Sequence, residues 1–148
     1  MARDFATFAA LHVPGDPVIL YMMDKGVIPN AERKQIRATY VAGLFRAMRF
    51  GTAEAHGKGA AMQYRYIRDK GGIVWDAGAK RFRVDEAKID GAIRDLVAQI
   101  VHLQGNGDYA GVKAFLDKWG QVDPEAQSVI DAMTHIPVDI RPIYPEHV

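Results

Sequence analysis

The sequence contains no cysteine, which excludes disulfide bonds and thiolate metal ligands. No apolar run approaches the roughly 20 residues that a membrane-spanning helix needs. The N-terminus also lacks the basic, apolar and small-residue order of a signal peptide. We therefore expect a cytoplasmic protein without membrane contact. The net charge of +1 argues against generic binding to polyanions such as nucleic acid.

Two further absences limit the chemistry that these residues predict. No two histidines lie four residues apart, the spacing that puts two metal ligands on one helical face. Ser128 is the only serine, and no histidine stands close to it in sequence to activate it. The residues therefore predict neither a local metal site nor a serine nucleophile. The five histidines are His12, His56, His102, His135 and His147.

Charge is distributed unevenly along the chain. Residues 33–83 contain twelve Lys and Arg but three acidic residues, whereas residues 84–148 contain five basic and eleven acidic residues. Stretches of opposite sign can pair within one fold or face a partner, and we expect pairing within the fold. The basic and aromatic residues from Tyr64 to Arg68 could stack on nucleic acid, but at helical spacing such residues more often edge a core. Nucleic-acid binding is therefore not expected.

No internal repeat or linker divides the chain, so residues 1–148 are expected to form a single helical domain. Asp16-Pro17 predicts the start of a first helix that ends at Gly26, and Asn30 predicts the cap of a long second helix. Apolar residues recur along that second helix every three or four positions, which predicts a buried stripe. The stripe consists of Ile36, Tyr40, Val41, Leu44, Phe45 and Met48.

Two glycines interrupt the next predicted helix, which Thr52 is expected to cap and which runs to about Lys70. Gly57 and Gly59 each cost a helix about 1 kcal/mol relative to alanine, so something must offset them. A glycine removes the side chain that would keep a neighbouring backbone or ligand apart. The pair therefore predicts such a close approach.

The remaining signals complete a mainly α, bundle-like fold. Short apolar stretches on both sides of a glycine-bearing turn predict one small β-hairpin at about 72–84. Asp85, Asp108 and Asp123-Pro124 each predict the cap of a further helix. Three prolines in the tail at 136–145 predict an extended C-terminal strap, because residues that precede proline avoid the helical region.

The stretch from Arg49 to Gly59 reads Arg-Phe-Gly-Thr-Ala-Glu-Ala-His-Gly-Lys-Gly. It resembles the dipeptidyl-peptidase III family of zinc metallopeptidases, especially the shorter bacterial branch. The resemblance extends over most of the chain, from about residue 16 to residue 145. Other stretches also match the family and occur in the same order: residues 40–44 before this stretch, and residues 107–109, 113–120 and 136–142 after it.

Members of this family are two-lobed hydrolases that remove dipeptides from peptide N-termini, and their zinc ligands precede the region that this chain resembles. Neither zinc-binding motif occurs in the sequence. The resemblance therefore implies a C-terminal helical segment of the catalytic lobe, a substrate-cleft or scaffold domain that holds no metal or cofactor and is not catalytic as an isolated chain. The alternative is a stand-alone helical module for protein interaction or homo-oligomerisation.

By the same resemblance, His56 corresponds to the cleft histidine that helps to stabilise the tetrahedral transition state. From the residues alone, a capping or packing histidine is the more common outcome at such a position. Glu54, Lys58 and Arg141 are the candidates for substrate contact. His102, which stands among apolar residues, is expected to be a hydrogen-bonded histidine in the core or at its boundary.

The resemblance also implies the partners of the chain. The zinc-bearing region is the first, and a peptide substrate is expected only in the full-length context. Without the zinc-bearing helices, part of the apolar face of the helices that start at Asn30 and Thr52 should lack cover, so the isolated chain is expected to form a homo-oligomer. Many Ala, Met and Tyr residues suit the close helix contacts of such an oligomer, among them Ala60, Ala61, Met62, Tyr64 and Tyr66.

Overall fold

The structure is a computed structural model and describes residues 21–138. Most of these residues are helical. Residues 21–24 are helical, and Asn30–Glu32 form a 3-10 turn. The elements that follow are α1 (Arg33–Met48), α2 (Ala55–Asp69), β1 (Ile73–Asp76), β2 (Arg81–Val84), α3 (Ile89–Gly105), α4 (Tyr109–Trp119) and α5 (Pro124–Ala132). The predicted mainly α fold with one β-hairpin is confirmed.

The apolar stripe of α1 faces the core along its second half. Val41, Leu44, Phe45 and Met48 are buried, whereas Ile36 and Tyr40 are half-buried. The prediction that Asn30 caps this helix is wrong. The side-chain oxygen of Asn30 accepts a hydrogen bond from Arg33 Nε at 3.2 Å and bonds no backbone N–H of the turn.

α2 is the central element of the core, and it contacts α1, α3, α4 and β1. The five residues of α2 that suit close helix contacts are between 0% and 5% exposed: Ala60, Ala61, Met62, Tyr64 and Tyr66. The expectation of an uncovered apolar face is therefore wrong for α2, because the helices and the hairpin of this same chain already cover it, whereas the expected homo-oligomer stays a prediction. Burial on several sides explains why α2 carries small residues where an amphipathic helix would carry polar ones.

Aromatic side chains attach the hairpin to the helices. Phe45 of α1, Tyr64 of α2 and Phe82 of β2 form a triangle with ring centroids between 5.0 and 5.6 Å apart. The ring centroid of Trp75 in β1 lies 4.8 Å from that of Phe82, its antiparallel partner in the hairpin. Edge-to-face and tilted pairs at these distances add to the stability that burial alone provides.

The caps predicted at two helix starts are confirmed. Asp108 accepts a hydrogen bond from the backbone N–H of Gly111 at 2.8 Å, and Asp123 accepts one from Ala126 at 2.9 Å. Asp85 accepts hydrogen bonds from the N–H groups of residues 87 and 88, in a turn that comes just before α3. The prediction for Thr52 is wrong, because a turn occupies residues 52–53 and α2 begins only at Ala55.

The N-terminal and C-terminal predictions are tested only in part. Gly26 has a φ of +71°, and its N–H donates to the carbonyl of Met23, so the predicted end of the first helix is confirmed. Asp16-Pro17 and most of the predicted strap at 136–145 lie outside the described residues. No helix within residues 21–138 is long and apolar enough to cross a membrane.

Basic and acidic residues pair within the fold, as predicted. Arg33 donates to Asp24 and to Asp90, each at 2.7 Å, and Arg37 donates to Asp90 and Glu86. Burial alone would raise the pKa of Asp90, but the hydrogen bonds from Arg37 and Arg33 outweigh it and hold that pKa below its ordinary value. This network joins α1 to the start of α3.

Candidate functional site

A tight corner between α1 and α2 is built around Gly51. This residue has a φ of +90°, a conformation that side chains disfavour. Its carbonyl oxygen lies 2.0 Å from the position that a Cβ on Gly57 would occupy. Only glycine fits at position 57, and the predicted close approach of a backbone is confirmed there.

The corner presents three of the four predicted site residues at the start of α2. Glu54 immediately precedes the helix, and His56 and Lys58 belong to its first turn. Glu54 and His56 are exposed, whereas Lys58 is half-buried. The N–H of Lys58 donates to the carbonyl of Glu54 at 2.9 Å, which fixes the backbone that carries all three side chains. Arg141, the fourth candidate, lies outside the described residues.

Lys58 packs against the end of α4. Its Cγ lies 3.0 Å from the position that a Cβ on Gly120 would occupy, so the glycine makes room for the aliphatic stem of the lysine. Gly120 directly follows the last residue of α4 and caps it, because its N–H donates to the carbonyl of Leu116. The corner is therefore held against α4 as well as against α1.

An imidazole, a carboxylate and an ammonium group near one helix start can bind a peptide by hydrogen bonds and charge. They do not make a metal centre. Among residues 21–138, no three His, Cys, Asp or Glu side chains come together in a group that could hold a metal ion. The described residues thus do not fit the zinc that the resemblance implies, and no step through that metal follows from them.

Arg49 connects the corner to the end of α5 by hydrogen bonds, and the sequence did not predict this contact. Its guanidinium donates to the carbonyls of Met133 and Pro137, each at 3.2 Å, and to that of Ile136. Arg49 is separated from these acceptors by more than 80 residues, so no local pattern could show the contact. The only available signal was its position two residues before Gly51 in the stretch that carries the resemblance.

A buried polar cluster fixes the middle of α2 to the start of α5. The hydroxyl of Tyr64 donates to the carboxylate of Asp123 at 2.9 Å, and Arg68 Nη1 donates both to that carboxylate at 2.5 Å and to the hydroxyl at 2.9 Å. Burial, and next the charge of Asp123, raise the pKa of Tyr64, so this hydroxyl stays protonated. Asp123 both caps α5 and accepts these bonds.

His102 is not the core or boundary histidine that its neighbours predicted. It is exposed near the end of α3, where the side-chain amide nitrogen of Asn106 lies 3.1 Å from its Nε2. The apolar residues around it in sequence point to other sides of the helix: Ile100 is buried, whereas Val101 is 60% exposed.

Two solved structures resemble this fold over nearly its whole length. Dipeptidyl-peptidase III from Caldithrix abyssi aligns with a TM-score of 0.90 and 34% identity, covering 97% of this chain and 27% of that one. Dipeptidyl-peptidase III from Corallococcus sp. strain EGB aligns with a TM-score of 0.89 and 32% identity, covering 96% of this chain and 26% of that one. The chain is thus similar to one segment of a larger peptidase, about a quarter of its length.

That segment is the C-terminal segment of dipeptidyl-peptidase III, and the predicted resemblance is confirmed. A curated plant relative, Nudix hydrolase 3 from Arabidopsis thaliana, is 34% identical over 127 residues, which are 84% of this chain but only 16% of that protein. Its name describes a protein of which this chain spans about one sixth. No family model matches the chain.

Proposed function

We propose that this chain forms the substrate-cleft and scaffold part of a dipeptidyl-peptidase III type fold and is not catalytic by itself. The likeness to the two bacterial enzymes supports the first half of this proposal. The observation that carries it is the contact between Gly51 and Gly57, because it holds the exposed His56 in the first turn of α2. A rigid backbone under an exposed imidazole is what a contact to a reacting carbonyl requires.

Each residue of the corner has a role in this proposal. His56 donates a hydrogen bond to the oxygen of the scissile carbonyl as negative charge develops on it. Glu54 attracts the free N-terminal ammonium that every dipeptidyl-peptidase substrate carries, and Lys58 contacts the peptide from the α4 side. Arg141 is the proposed fourth contact to the substrate.

The zinc in this proposal belongs to the complete enzyme. Its ligands would come from polypeptide outside residues 21–138, since the described residues do not gather a ligand set. The zinc-bearing region is therefore the proposed partner of this chain, and the cleft between the two would hold the peptide.

Activity of the purified chain tests the proposal. A dipeptidyl-2-naphthylamide substrate is incubated with the chain in the presence and absence of added zinc, and bound zinc is determined by metal analysis after gel filtration. We expect no release of naphthylamine and no stoichiometric zinc. Zinc-dependent release by the wild-type chain that disappears in His56→Ala would show that the chain is an enzyme in its own right.

A homo-oligomeric interaction module is the second candidate. The observation in its favour is the exposure of two large apolar side chains, one near the end of α3 and one at the start of α4: Val101 is 60% exposed and Tyr109 is 65% exposed. Sedimentation velocity at micromolar concentration separates the candidates. A dimer that dissociates in the double variant Val101→Asp and Tyr109→Asp would favour the module, and a monomer of 16.4 kDa would remove it.

A further inference from the structure

A groove of about 900 Å³ lies between α1, the hairpin and the C-terminal end of α5. Its volume is within the range of about 300 to 1,000 Å³ that is typical of ligand clefts in proteins. Its lining is largely apolar, with Val41 and Phe45 from α1, Phe82 from β2 and Met133 from the end of α5. Glu54, His56 and Lys58 do not line it.

Six basic residues and one acidic residue also line the groove. The acidic residue, Glu86, already accepts a hydrogen bond from Arg37. The six basic residues are Lys34, Arg46, Arg49, Lys80, Arg81 and Arg83. The groove therefore combines an apolar surface with a strong excess of positive charge.

Only two of the six basic side chains around the groove form hydrogen bonds or ion pairs within the described part of the fold. Arg49 bonds backbone carbonyls, and Arg83 pairs with Asp76 at 3.3 Å. The four others form no ion pair within residues 21–138. Arg46 makes a cation–π contact, with its Cζ atom 5.9 Å from the ring centroid of Phe50. These four cations are Lys34, Arg46, Lys80 and Arg81.

We propose that this groove docks a peptide segment of a partner protein that carries both acidic and apolar side chains. Apolar side chains of the partner would cover the exposed apolar residues of the groove, Ile136 and Val138, which are 45% and 44% exposed. Its carboxylates would pair with the four cations that form no ion pair within residues 21–138. Nucleic acid fits less well, because base stacking needs open aromatic faces. Phe45 is only 6% exposed and packs against Tyr64 and Phe82. This inference does not depend on the proposed peptidase role.

The test is fluorescence anisotropy of the full chain with a labelled peptide of about twelve residues in which Glu and Leu alternate. A second peptide replaces every Glu by Lys. We expect saturable binding of the Glu peptide, weaker binding as salt is raised, and no saturable binding of the Lys peptide.

Two matched pairs of variants locate the binding surface. The double variant Lys34→Glu and Arg81→Glu reverses two groove charges, and Lys113→Glu with Lys118→Glu makes the same charge change on α4. Ala42→Glu introduces a carboxylate in the groove, and Ala114→Glu does so at another exposed helical position. We expect about tenfold weaker binding in each groove variant and unchanged binding in each control. Circular dichroism and thermal melting are used to check that all four variants are folded.

Several results would overturn the proposal. Equal losses in the groove and control variants would place binding elsewhere, and equal affinity for the Lys peptide would remove the charge argument. Displacement of the peptide by a single-stranded oligonucleotide at lower concentration would indicate a nucleic-acid surface. A dimer that Ala42→Glu dissociates would indicate a second copy of the chain. An affinity gain above about tenfold in Ile143→Asp would indicate the chain's own C-terminal residues as occupant.

Discussion

The carbonyl oxygen of Gly51 stands where a side chain on Gly57 would have to begin, with only 2.0 Å between the oxygen and the position of that Cβ. Gly57→Ala must therefore displace the backbone of the corner. We expect a loss of about 1 to 3 kcal/mol in the free energy of unfolding, measured by urea denaturation.

Gly43→Ala is the matched control, because Gly43 also lies within a helix but has no atom within 4 Å of its Cβ position. Alanine should leave the stability unchanged or raise it by up to about 1 kcal/mol there. If both variants are equally stable, the corner is not constrained by this contact.

The hydroxyl of Tyr64 is bonded in the interior, and its removal should be measurable. Tyr64→Phe should lower the free energy of unfolding by about 1 to 2 kcal/mol, because Asp123 loses a donor while it remains buried. Tyr66→Phe removes a hydroxyl that bonds Asp95, whose side chain is 43% exposed, and should cost less. The reverse order of the two losses would contradict the assignment of Tyr64 and Asp123 as the interior cluster.

Asp90 gives the stability of the chain a defined pH dependence. Its folded pKa is lowered, so its contribution is complete above its ordinary pKa of 3.8 and is lost as the pH falls below that value through the folded pKa. Asp90→Asn should cost about 1 to 3 kcal/mol at neutral pH, and the cost should shrink in acid. Urea denaturation at about pH 7 and about pH 3 measures this, with the exposed Asp131→Asn as control. An equal cost at both pH values would contradict the account.

Leu44 tests which face of α1 is inward. It is 5% exposed, so Leu44→Ala should cost about 2 to 5 kcal/mol in the free energy of unfolding. Val101→Ala removes apolar volume at a site that is 60% exposed and should cost little. A loss below about 1 kcal/mol for Leu44→Ala would mean that the stripe of α1 does not face the core.

The elements of the fold were predictable where local chemistry decides them. The caps at Asp108 and Asp123 follow from side chains that reach a backbone N–H three residues away, and the stripe from Val41 to Met48 follows from helical period. Helix starts at Asn30 and Thr52 were placed wrongly, because Asn30 binds an arginine instead and a turn occupies residues 52–53. Capping residue types allow a helix to begin without requiring it.

The site was predictable only in part. The glycine at position 57 indicated a close backbone contact, but the identity of its partner, Gly51, depends on the angle between two helices. The bonds from Arg49 to residues 133–137 join distant parts of the chain, and the groove is lined by residues from α1, the hairpin and α5. Contacts of this kind appear only once the tertiary structure is known. Charge counting showed the surplus in residues 33–83, but not which of these basic residues form no ion pair within the part of the chain that the structure describes.

Replacement of the matching segment in the Caldithrix abyssi enzyme by this chain tests the central claim most directly. Dipeptide release by the chimera is measured beside the same chimera with His56→Ala, after circular dichroism and zinc analysis have shown that both are folded and hold metal. We predict an active chimera and a loss of about 100-fold or more in kcat with His56→Ala. A folded, zinc-loaded chimera that is inactive, or one whose activity does not change with His56→Ala, would contradict the account.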